Sequence, residues 1–220
     1  SYYHAKKNPS AYAYGFELDH ETYDSSRWIS EPYKLFDCSR ENDAGIAVLV
    51  TSAERAKEMR QKPAYILSAP MGSPGEWASL EEIDMRSPIM TSAGMAGVAK
   101  KLWKESGYGP EDVDVAQVYE NMTGLSVSAI VDHGFCSHQN AGEFITYDNL
   151  IVDGGGFPIN TSGGNVADGF IHGMGLVPEA VRQIRGTSVN QVEGAKLSLM
   201  IGGPGDAIVS SALFGTEETL

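Results

Sequence analysis

The sequence KLSLMI at residues 196–201 is followed by GGPG at 202–205 and by AIVSSAL at 207–213. Each outer run has the length and apolar content of a β-strand, and the stretch rich in glycine and proline between them is typical of a turn. The three runs together predict an antiparallel hairpin.

Upstream of this hairpin, strand patterns alternate with helix patterns. The predicted strands are 64–69 and 113–118, and the predicted helices are 92–106, 123–132 and 177–185. We expect residues 71–89, between the first strand and the first helix, to be irregular. Alternation of this kind with a closing hairpin is typical of a layered α/β unit, with a mixed sheet flanked by helices.

The first part of the chain has a different character. Its first residues, which are rich in aromatic side chains, predict a short helix followed by a long packed segment without regular structure. This segment covers an acyl or sterol chain or packs against further protein. The run GIAVLV at 45–50 predicts a buried strand, and Ser52 predicts the start of a helix over 53–60. One strand and one helix cannot bury both of their faces. We therefore expect residues 1–62 to need further chain and residues 63–220 to form a domain.

Composition excludes several classes of function. The 220 residues contain 16 Lys and Arg against 29 Asp and Glu, a net charge of -13 that argues against a nucleic-acid partner. The longest clean apolar run, 46–50, is far below the ~18 residues that span a bilayer. Two cysteines give no disulfide framework and no thiolate metal site. We expect a cytoplasmic protein without a membrane span.

Glycine is concentrated in one part of the sequence. Thirteen of the 25 glycines lie between Gly154 and Gly205, among strand and helix patterns. Glycine serves where the backbone needs a positive φ or a close approach, so this clustering indicates tight turns around a site.

Several motifs in a fixed order together resemble one known family. They are HAKKNP at 4–9, LFDC at 35–38, VYENM at 118–122, HGFC at 133–136, PINTSGG at 158–164, GFIHGM at 169–174 and VRQIRG at 181–186. In this order they resemble the C-terminal part of the thiolase superfamily, in particular its lipid-transfer, sterol-carrier-type branch.

The resemblance implies a duplicated fold in which each half is a layered α/β unit. Residues 1–62 would then be the tail of the N-terminal half, and residues 63–220 the C-terminal thiolase-like domain. The rest of the N-terminal half, which carries the nucleophilic cysteine of the family where one exists, is expected ahead of Ser1. A natural split subunit, a proteolytic remnant and a truncated chain are all compatible with this reading.

The resemblance also implies catalytic roles near residue 119. Tyr119 stands where thiolases place a His or Asn that holds the thioester oxygen, and the aldolase branch is expected to have tyrosine there. Its phenol can donate a hydrogen bond to an enolate oxygen or relay a proton; the alternative is a core tyrosine that closes a strand. Because adjacent strand residues point to opposite sides, only one of Glu120 and Asn121 is expected to line the same cavity, and Asn121 is the better candidate to orient a water or an oxyanion.

A second candidate segment is the loop that thiolases place beside the pantetheine thioester. It contributes Asn160, Ser162, Gly163 and Gly164, whose backbone N–H groups are available as donors. The alternative is a plain Gly-Gly turn.

Two positions depart from the family pattern. Phe170 stands where thiolases have a catalytic His and the aldolase branch a Tyr, which leaves His172 as a substitute proton carrier or as a structural residue. Met200 stands where a thiolytic enzyme has its second catalytic cysteine, and a thioether cannot take a proton from a thiol. Cys38 and Cys136 match no catalytic cysteine and are expected to be buried structural thiols. His133 and His138 beside Cys136 are too few for zinc, so we expect no metal.

The function that this resemblance implies is retro-aldol C–C cleavage of a β-hydroxyacyl-CoA, with a steroid side chain as one candidate for the acyl group. The alternatives are a thiolase-type acyltransferase, such as an acetyl-CoA acetyltransferase, and a non-catalytic lipid-binding or scaffold subunit. No tightly bound cofactor is expected, and coenzyme A enters as part of the thioester substrate. The family implies a homodimer formed through the thiolase-like half and a small partner protein with an OB-fold and a zinc ribbon.

Overall fold

A mixed five-stranded sheet with helices on both faces forms the body of the protein. The computed structural model describes residues 1–72, 95–203 and 208–220. The strands are β1 (Trp28–Ser30), β2 (Tyr33–Lys34), β3 (Tyr65–Ser68), β4 (Met71–Gly72), β5 (Val115–Val118), β6 (Leu197–Gly202) and β7 (Val209–Gly215). The α-helices are α1 (Tyr2–Ala5), α2 (His20–Ser25), α3 (Ala53–Lys57), α4 (Met95–Ser106), α5 (Thr123–Asp132), α6 (Ala141–Phe144), α7 (Tyr147–Leu150) and α8 (Leu176–Arg185).

The predicted hairpin is confirmed and lies at the centre of the sheet. Strands β6 and β7 pair antiparallel from Leu197↔Gly215 to Gly202↔Ser210. Strand β5 runs parallel to β6 on its other side, while β3 and β4 pair antiparallel with β7. The order β3-β7-β6-β5, with β4 also on β7, is the mixed sheet that the sequence predicts.

Strand β6 is buried on both of its faces. Leu199 and Ile201 belong to the larger apolar cluster with residues of α4 and α5. Met200, between them, points to the opposite face and packs in a cluster with Leu176 and Ile184 of α8. Because side chains alternate along a strand, the two clusters show that α4 and α5 cover one face of the sheet and α8 the other.

Most of the predicted helices are confirmed, with small shifts at their ends. Helix α5 has the predicted bounds, and α8 begins one residue before the predicted start and ends where Gly186 takes a left-handed φ of 73°. Ser52 caps α3 by accepting a hydrogen bond from the Arg55 N–H, although this helix ends at Lys57 rather than at residue 60.

The prediction of a buried strand at 45–50 is wrong. This segment forms neither helix nor strand and is exposed, with Leu49 at 75%, and it pairs with no strand among the described residues. Its composition fits a sheet interior, but the part of the chain that the structure describes has no sheet beside it. The prediction of irregular structure over 71–89 is wrong for Met71–Gly72, which form β4, and its remainder lies outside the described residues.

The first residues of the chain pack onto the domain that follows. Asn8 donates from Nδ2 to the Ser162 carbonyl at 2.8 Å, and the N–H of Tyr12 donates to the Asp168 carbonyl at 3.1 Å. Further along, the buried carboxylate of Asp37 accepts from the Thr123 hydroxyl at 3.0 Å, which ties the segment before 45–50 to α5. Residues 1–38 are therefore anchored to the sheet domain, in contrast to 45–50.

We expect His133 to limit stability in acid. Burial lowers the pKa of His133 to about 4, while in the unfolded chain it titrates near 6.5. As the pH falls from 6.5 towards 4 the unfolded state takes up a proton that the folded state does not, so the free energy of unfolding decreases. Urea titrations across this range should show a shallower decrease for His133→Asn than for the wild type. His138→Asn, at an exposed position, should follow the wild type; equal slopes for both variants would contradict the assignment.

Candidate functional site

Tyr119 directly follows β5 and is held on three sides. Its N–H donates to the Ile201 carbonyl at 2.9 Å, which continues the pairing of β5 with β6. One edge of its ring faces Gly173, where an added Cβ would lie 2.7 Å from Cδ2 of the tyrosine. The ring of Phe170 stands edge-on, with 6.1 Å between the ring centroids. The tyrosine is half-buried and packs against the cluster that contains Met200.

Phe170 and His172 complete a group of three rings. The centroid of the His172 ring lies 4.8 Å from that of Phe170, and the Phe170 N–H donates to Oδ1 of Asn42 at 2.6 Å. His172 is exposed and has a positive φ of 46°. The structure thus brings Tyr119, Phe170 and His172 together, with the imidazole on the outer side of the group.

Met200 lies inside the protein, beneath this group. Only 9% of its surface is exposed, and its Cε would lie 3.0 Å from a Cβ added at Gly202. The thioether fills a volume in the apolar cluster under Tyr119. It offers no proton donor or acceptor suited to acid–base chemistry.

Asn121 has part of its side chain committed to the local backbone. Its Oδ1 accepts from the Met122 N–H at 2.9 Å, and its carbonyl accepts from the Ser39 N–H at 2.8 Å. The residue is half-buried at the entry to α5. One of the two polar atoms of this side chain is therefore engaged within the protein.

Asn160 acts as an extension of the sheet. Its Oδ1 accepts from the Val118 N–H at 2.7 Å, and its Nδ2 donates to the Val118 carbonyl at 3.0 Å. Its own N–H donates to the Ala116 carbonyl at 3.0 Å. This side chain satisfies the hydrogen bonds of two backbone groups at the end of β5. It therefore fixes the position of the loop and is not free to bind a ligand with these two atoms.

Gly163 and Gly164 are required by contacts within the protein. A Cβ at Gly163 would lie 2.6 Å from the Cβ of Ala5, and a Cβ at Gly164 would lie 2.8 Å from Cδ of Glu120. Both glycines have positive φ, of 118° and 60°. Ser162 is buried, and its carbonyl accepts from Asn8. Close packing alone is enough to require glycine at both positions.

Glu120 points to the side of this loop rather than to the three rings. It is 2% exposed; its Oε1 accepts from the Ser1 hydroxyl at 2.8 Å, while its Oε2 has no hydrogen-bond partner among the described residues. Burial raises the pKa of Glu120 to about 7. The buried carboxyl that follows the candidate tyrosine in sequence therefore titrates near neutral pH.

A buried polar network beneath the loop was not predicted from the sequence. Thr161 donates from Oγ1 to Glu179 at 2.7 Å and accepts from Gln117 at 3.0 Å and from Gln183 at 2.9 Å. Ser188 also donates to Glu179, at 2.6 Å. The available signal was a glutamate and a glutamine four residues apart on α8, which places both on the face that packs on the sheet.

A cavity of about 410 Å³ lies next to the loop and away from the ring of Tyr119. Asn42, Ile46, Ser162, Asp168 and Arg182 are among the residues that line it. Of the predicted site residues, only Ser162 lies in the wall of this cavity. The wall does not include the other predicted site residues, which are Asn160, Gly163, Gly164, Tyr119, Asn121 and His172. The wall of this cavity therefore includes none of the three rings of Tyr119, Phe170 and His172.

The two thiols and the histidines beside them have structural surroundings. Cys136 is buried in the larger apolar cluster, and Cys38, which the sequence analysis expected to be buried, is partly exposed. Burial raises the pKa of both thiols. His133 is within hydrogen-bond distance of the Ala129 carbonyl and of the Ser211 hydroxyl, at 2.8 Å each. The described part of the chain contains no group of three or more His, Cys, Asp or Glu suited to a metal ion, and no helix there is long and apolar enough to cross a membrane.

Comparison with known families gives an independent result. The model of a family described as thiolase C-terminal domain-like matches residues 75–213. The chain belongs to this family. The resemblance of the motifs to the thiolase superfamily is therefore confirmed, and so is the thiolase-like fold class.

Similar proteins include enzymes that are named as a lyase and as aldolases. A 17-hydroxy-3-oxo-4-pregnene-20-carboxyl-CoA lyase of Mycobacterium tuberculosis is 40% identical over 203 residues, which are 92% of this chain and 52% of that protein. A steroid side-chain-cleaving aldolase of Thermomonospora curvata is 39% identical over 92% of this chain and 51% of that protein. The solved structure of an Ltp2-ChsH2(DUF35) aldolase superposes with a TM-score of 0.92 at 37% identity, covering 98% of this chain and 56% of that one. The chain spans about half the length of the curated relatives that it matches.

We expect Glu120 to make stability depend on pH in the opposite sense to His133. Between pH 4.5 and 7 the unfolded state loses a proton that buried Glu120 keeps, so the free energy of unfolding falls as the pH rises. Glu120→Gln should remove a penalty on the order of 3 kcal/mol that the wild type acquires by neutral pH. Stability curves from pH 4 to 8 test this, with the exposed Glu143→Gln as control. A constant difference between Glu120→Gln and the wild type would contradict it.

Proposed function

We propose that the protein of which this chain forms part cleaves a β-hydroxyacyl-CoA by a retro-aldol reaction. The bond between Cα and Cβ breaks, the β-hydroxyl loses its proton and becomes a carbonyl, and the electron pair forms a thioester enolate. Protonation at Cα then gives the shortened acyl-CoA. The reaction needs a donor for the enolate oxygen and a path for one proton, and it needs no oxidant.

The observation that carries this proposal is the chemistry of the side chains around Tyr119. Tyr119 has the Phe170 ring on one side and packs against the cluster that contains Met200. Of these three side chains only the tyrosine carries an ionisable proton. Thiolysis needs a thiol or an equivalent base where Met200 is buried. An aldol cleavage needs a hydrogen-bond donor at the enolate, which a phenol supplies. The names of the two curated relatives, a lyase and a side-chain-cleaving aldolase, support the same reaction class and a steroid-like acyl group.

The remaining predicted residues take supporting roles in this proposal. His172, exposed on the outer side of the rings, is the second proton site. Asn121 orients a water or the oxyanion through its amide nitrogen. The loop of Asn160, Ser162, Gly163 and Gly164 borders the pantetheine of the CoA thioester. The N–H groups of Asn160 and Gly163 already donate to the carbonyls of Ala116 and Asn160, so a backbone donor to the thioester has to come from the other residues of the loop.

Removing the Tyr119 hydroxyl tests the role of this residue. Tyr119→Phe in the assembled protein should lower the rate of ketone release from a β-hydroxyacyl-CoA by about 10²-fold or more, the usual contribution of a positioned proton carrier. The substrate to use is a CoA thioester with a tertiary β-hydroxyl on a steroid side chain, and the products are separated by chromatography.

Tyr14→Phe is the matched control, because Tyr14 is 59% exposed. Unchanged cleavage by Tyr119→Phe would contradict the role of the phenol. Absence of cleavage in the wild type would favour a scaffold subunit, and an acyl group trapped on a cysteine would favour an acyltransferase.

We also propose that residues 1–62 belong to a thiolase-like unit that further polypeptide completes. The support is the segment 45–50, whose apolar side chains are exposed and whose backbone pairs with no described strand. An exposed apolar segment that is outside any described sheet can pair as an added strand with another sheet. A homodimer and a small OB-fold partner with a zinc ribbon remain part of the proposal; the name of the solved relative, which joins two components, supports a partner.

A charge in this segment should disrupt that assembly. Leu49→Asp should reduce the amount of assembled complex in size-exclusion chromatography, because the aspartate would be buried in the completed sheet. Leu220→Asp, at a side chain of similar exposure, is the control. An unchanged elution profile for Leu49→Asp would contradict the proposed pairing.

A further inference from the structure

Two consecutive residues before α8 have left-handed backbone. His172 has a φ of 46° and Gly173 a φ of 79°. For a residue with a Cβ this conformation costs about 1–2 kcal/mol, and such outliers cluster at functional sites. The turn that they form faces Tyr119.

The contact between this turn and Tyr119 leaves no space for a side chain. A Cβ at residue 173 would lie 2.7 Å from Cδ2 and 3.1 Å from Cε2 of the tyrosine, so it would strike one whole edge of the ring. The ring cannot simply retreat, because it also packs against the cluster of Met200 and Leu176. Gly173 is therefore needed for the tyrosine to occupy its observed place.

Phe170 limits the ring from a second direction. Its ring plane stands at 70° to that of Tyr119, and the ring of His172 lies tilted against Phe170 on the other side. The hydrogen bond from the Phe170 N–H to Asn42 fixes the backbone of the phenylalanine. The Tyr119 ring is thus in contact with Gly173 of the strained turn on one edge and with the ring of Phe170 on another.

We propose that Gly173 is a positioning residue that sets the direction of the Tyr119 phenol, with Phe170 as the second wall. The effect on catalysis rests on the function proposed above, whereas the effect on the ring position does not. Enlarging residue 173 should turn the ring and move the hydroxyl away from the enolate oxygen. This change affects the reaction step more than the binding of the thioester.

The test compares Gly173→Ala with Gly194→Ala. Gly194 has a φ of 72°, close to that of Gly173, and a Cβ there would meet nothing within 4 Å. Both variants carry the same backbone strain, and only the first meets Tyr119. With 3-fluorotyrosine placed at position 119 of the assembled protein, the ¹⁹F resonance should shift in Gly173→Ala and stay in place in Gly194→Ala. In the unlabelled protein, Gly173→Ala should lower kcat by about tenfold or more with KM nearly unchanged.

A double variant covers the case in which Gly173→Ala unfolds. If the clash is with the ring, Gly173→Ala in a Tyr119→Ala background should lower the melting temperature no more than Gly194→Ala does in that background. A ¹⁹F resonance that is the same in both single variants would overturn the proposal, as would a double variant that fails to fold while Tyr119→Ala folds. If the resonance moves but Tyr119→Phe still cleaves substrate, the positioning stands and the catalytic role of the tyrosine fails.

Discussion

Burial of β6 on both faces is the constraint on which the rest of the structure depends. The strand lies between a parallel neighbour and an antiparallel one, so its backbone is paired along both edges. Alternate side chains then enter different cores, Leu199 and Ile201 under α4 and α5, and Met200 under α8. Since a slip of one residue would exchange the two cores, the register is strongly fixed. Tyr119 follows the end of β5, and its N–H donates a hydrogen bond to the Ile201 carbonyl of β6. The register of β6 therefore fixes the position of the Tyr119 backbone.

The end of β5 is finished by a side chain rather than by another strand. Asn160 supplies both a donor and an acceptor to Val118, so the backbone at the strand end is satisfied where the chain turns away. This amide places the loop of Gly163 and Gly164 against Glu120, while Tyr119 leaves the strand towards Gly173. Two neighbouring residues with ionisable side chains therefore occupy different environments. The carboxyl is enclosed and poorly solvated, and the phenol is half-buried with its ring against Phe170.

Sequence patterns predicted the elements whose burial is decided locally and missed those decided by distant contacts. Helix α5 and the β6–β7 hairpin carry periodic apolar residues and clear ends, and both were predicted. The run 45–50 carries the same apolar signal, but strand formation also requires a neighbour to pair with, and no described strand lies beside it. For the site, motif order indicated Tyr119 and the loop of Asn160. It could not reveal that Asn160 serves Val118 or that Gly173 is shaped by Tyr119, because both contacts join residues far apart in sequence.

The glycines around the site acquire a different meaning from these contacts. Gly-rich loops suggest room for a ligand, yet the space beside these glycines is occupied by the protein itself. Ala5 lies beside Gly163, Glu120 beside Gly164 and Tyr119 beside Gly173. Each glycine is small because another part of the protein occupies the space. At these three positions each close contact fixes the distance between a loop and the element that it meets. Fixed distances of this kind would serve the proposed cleavage, because donors already in place do not have to reorganise as the charge of an enolate develops.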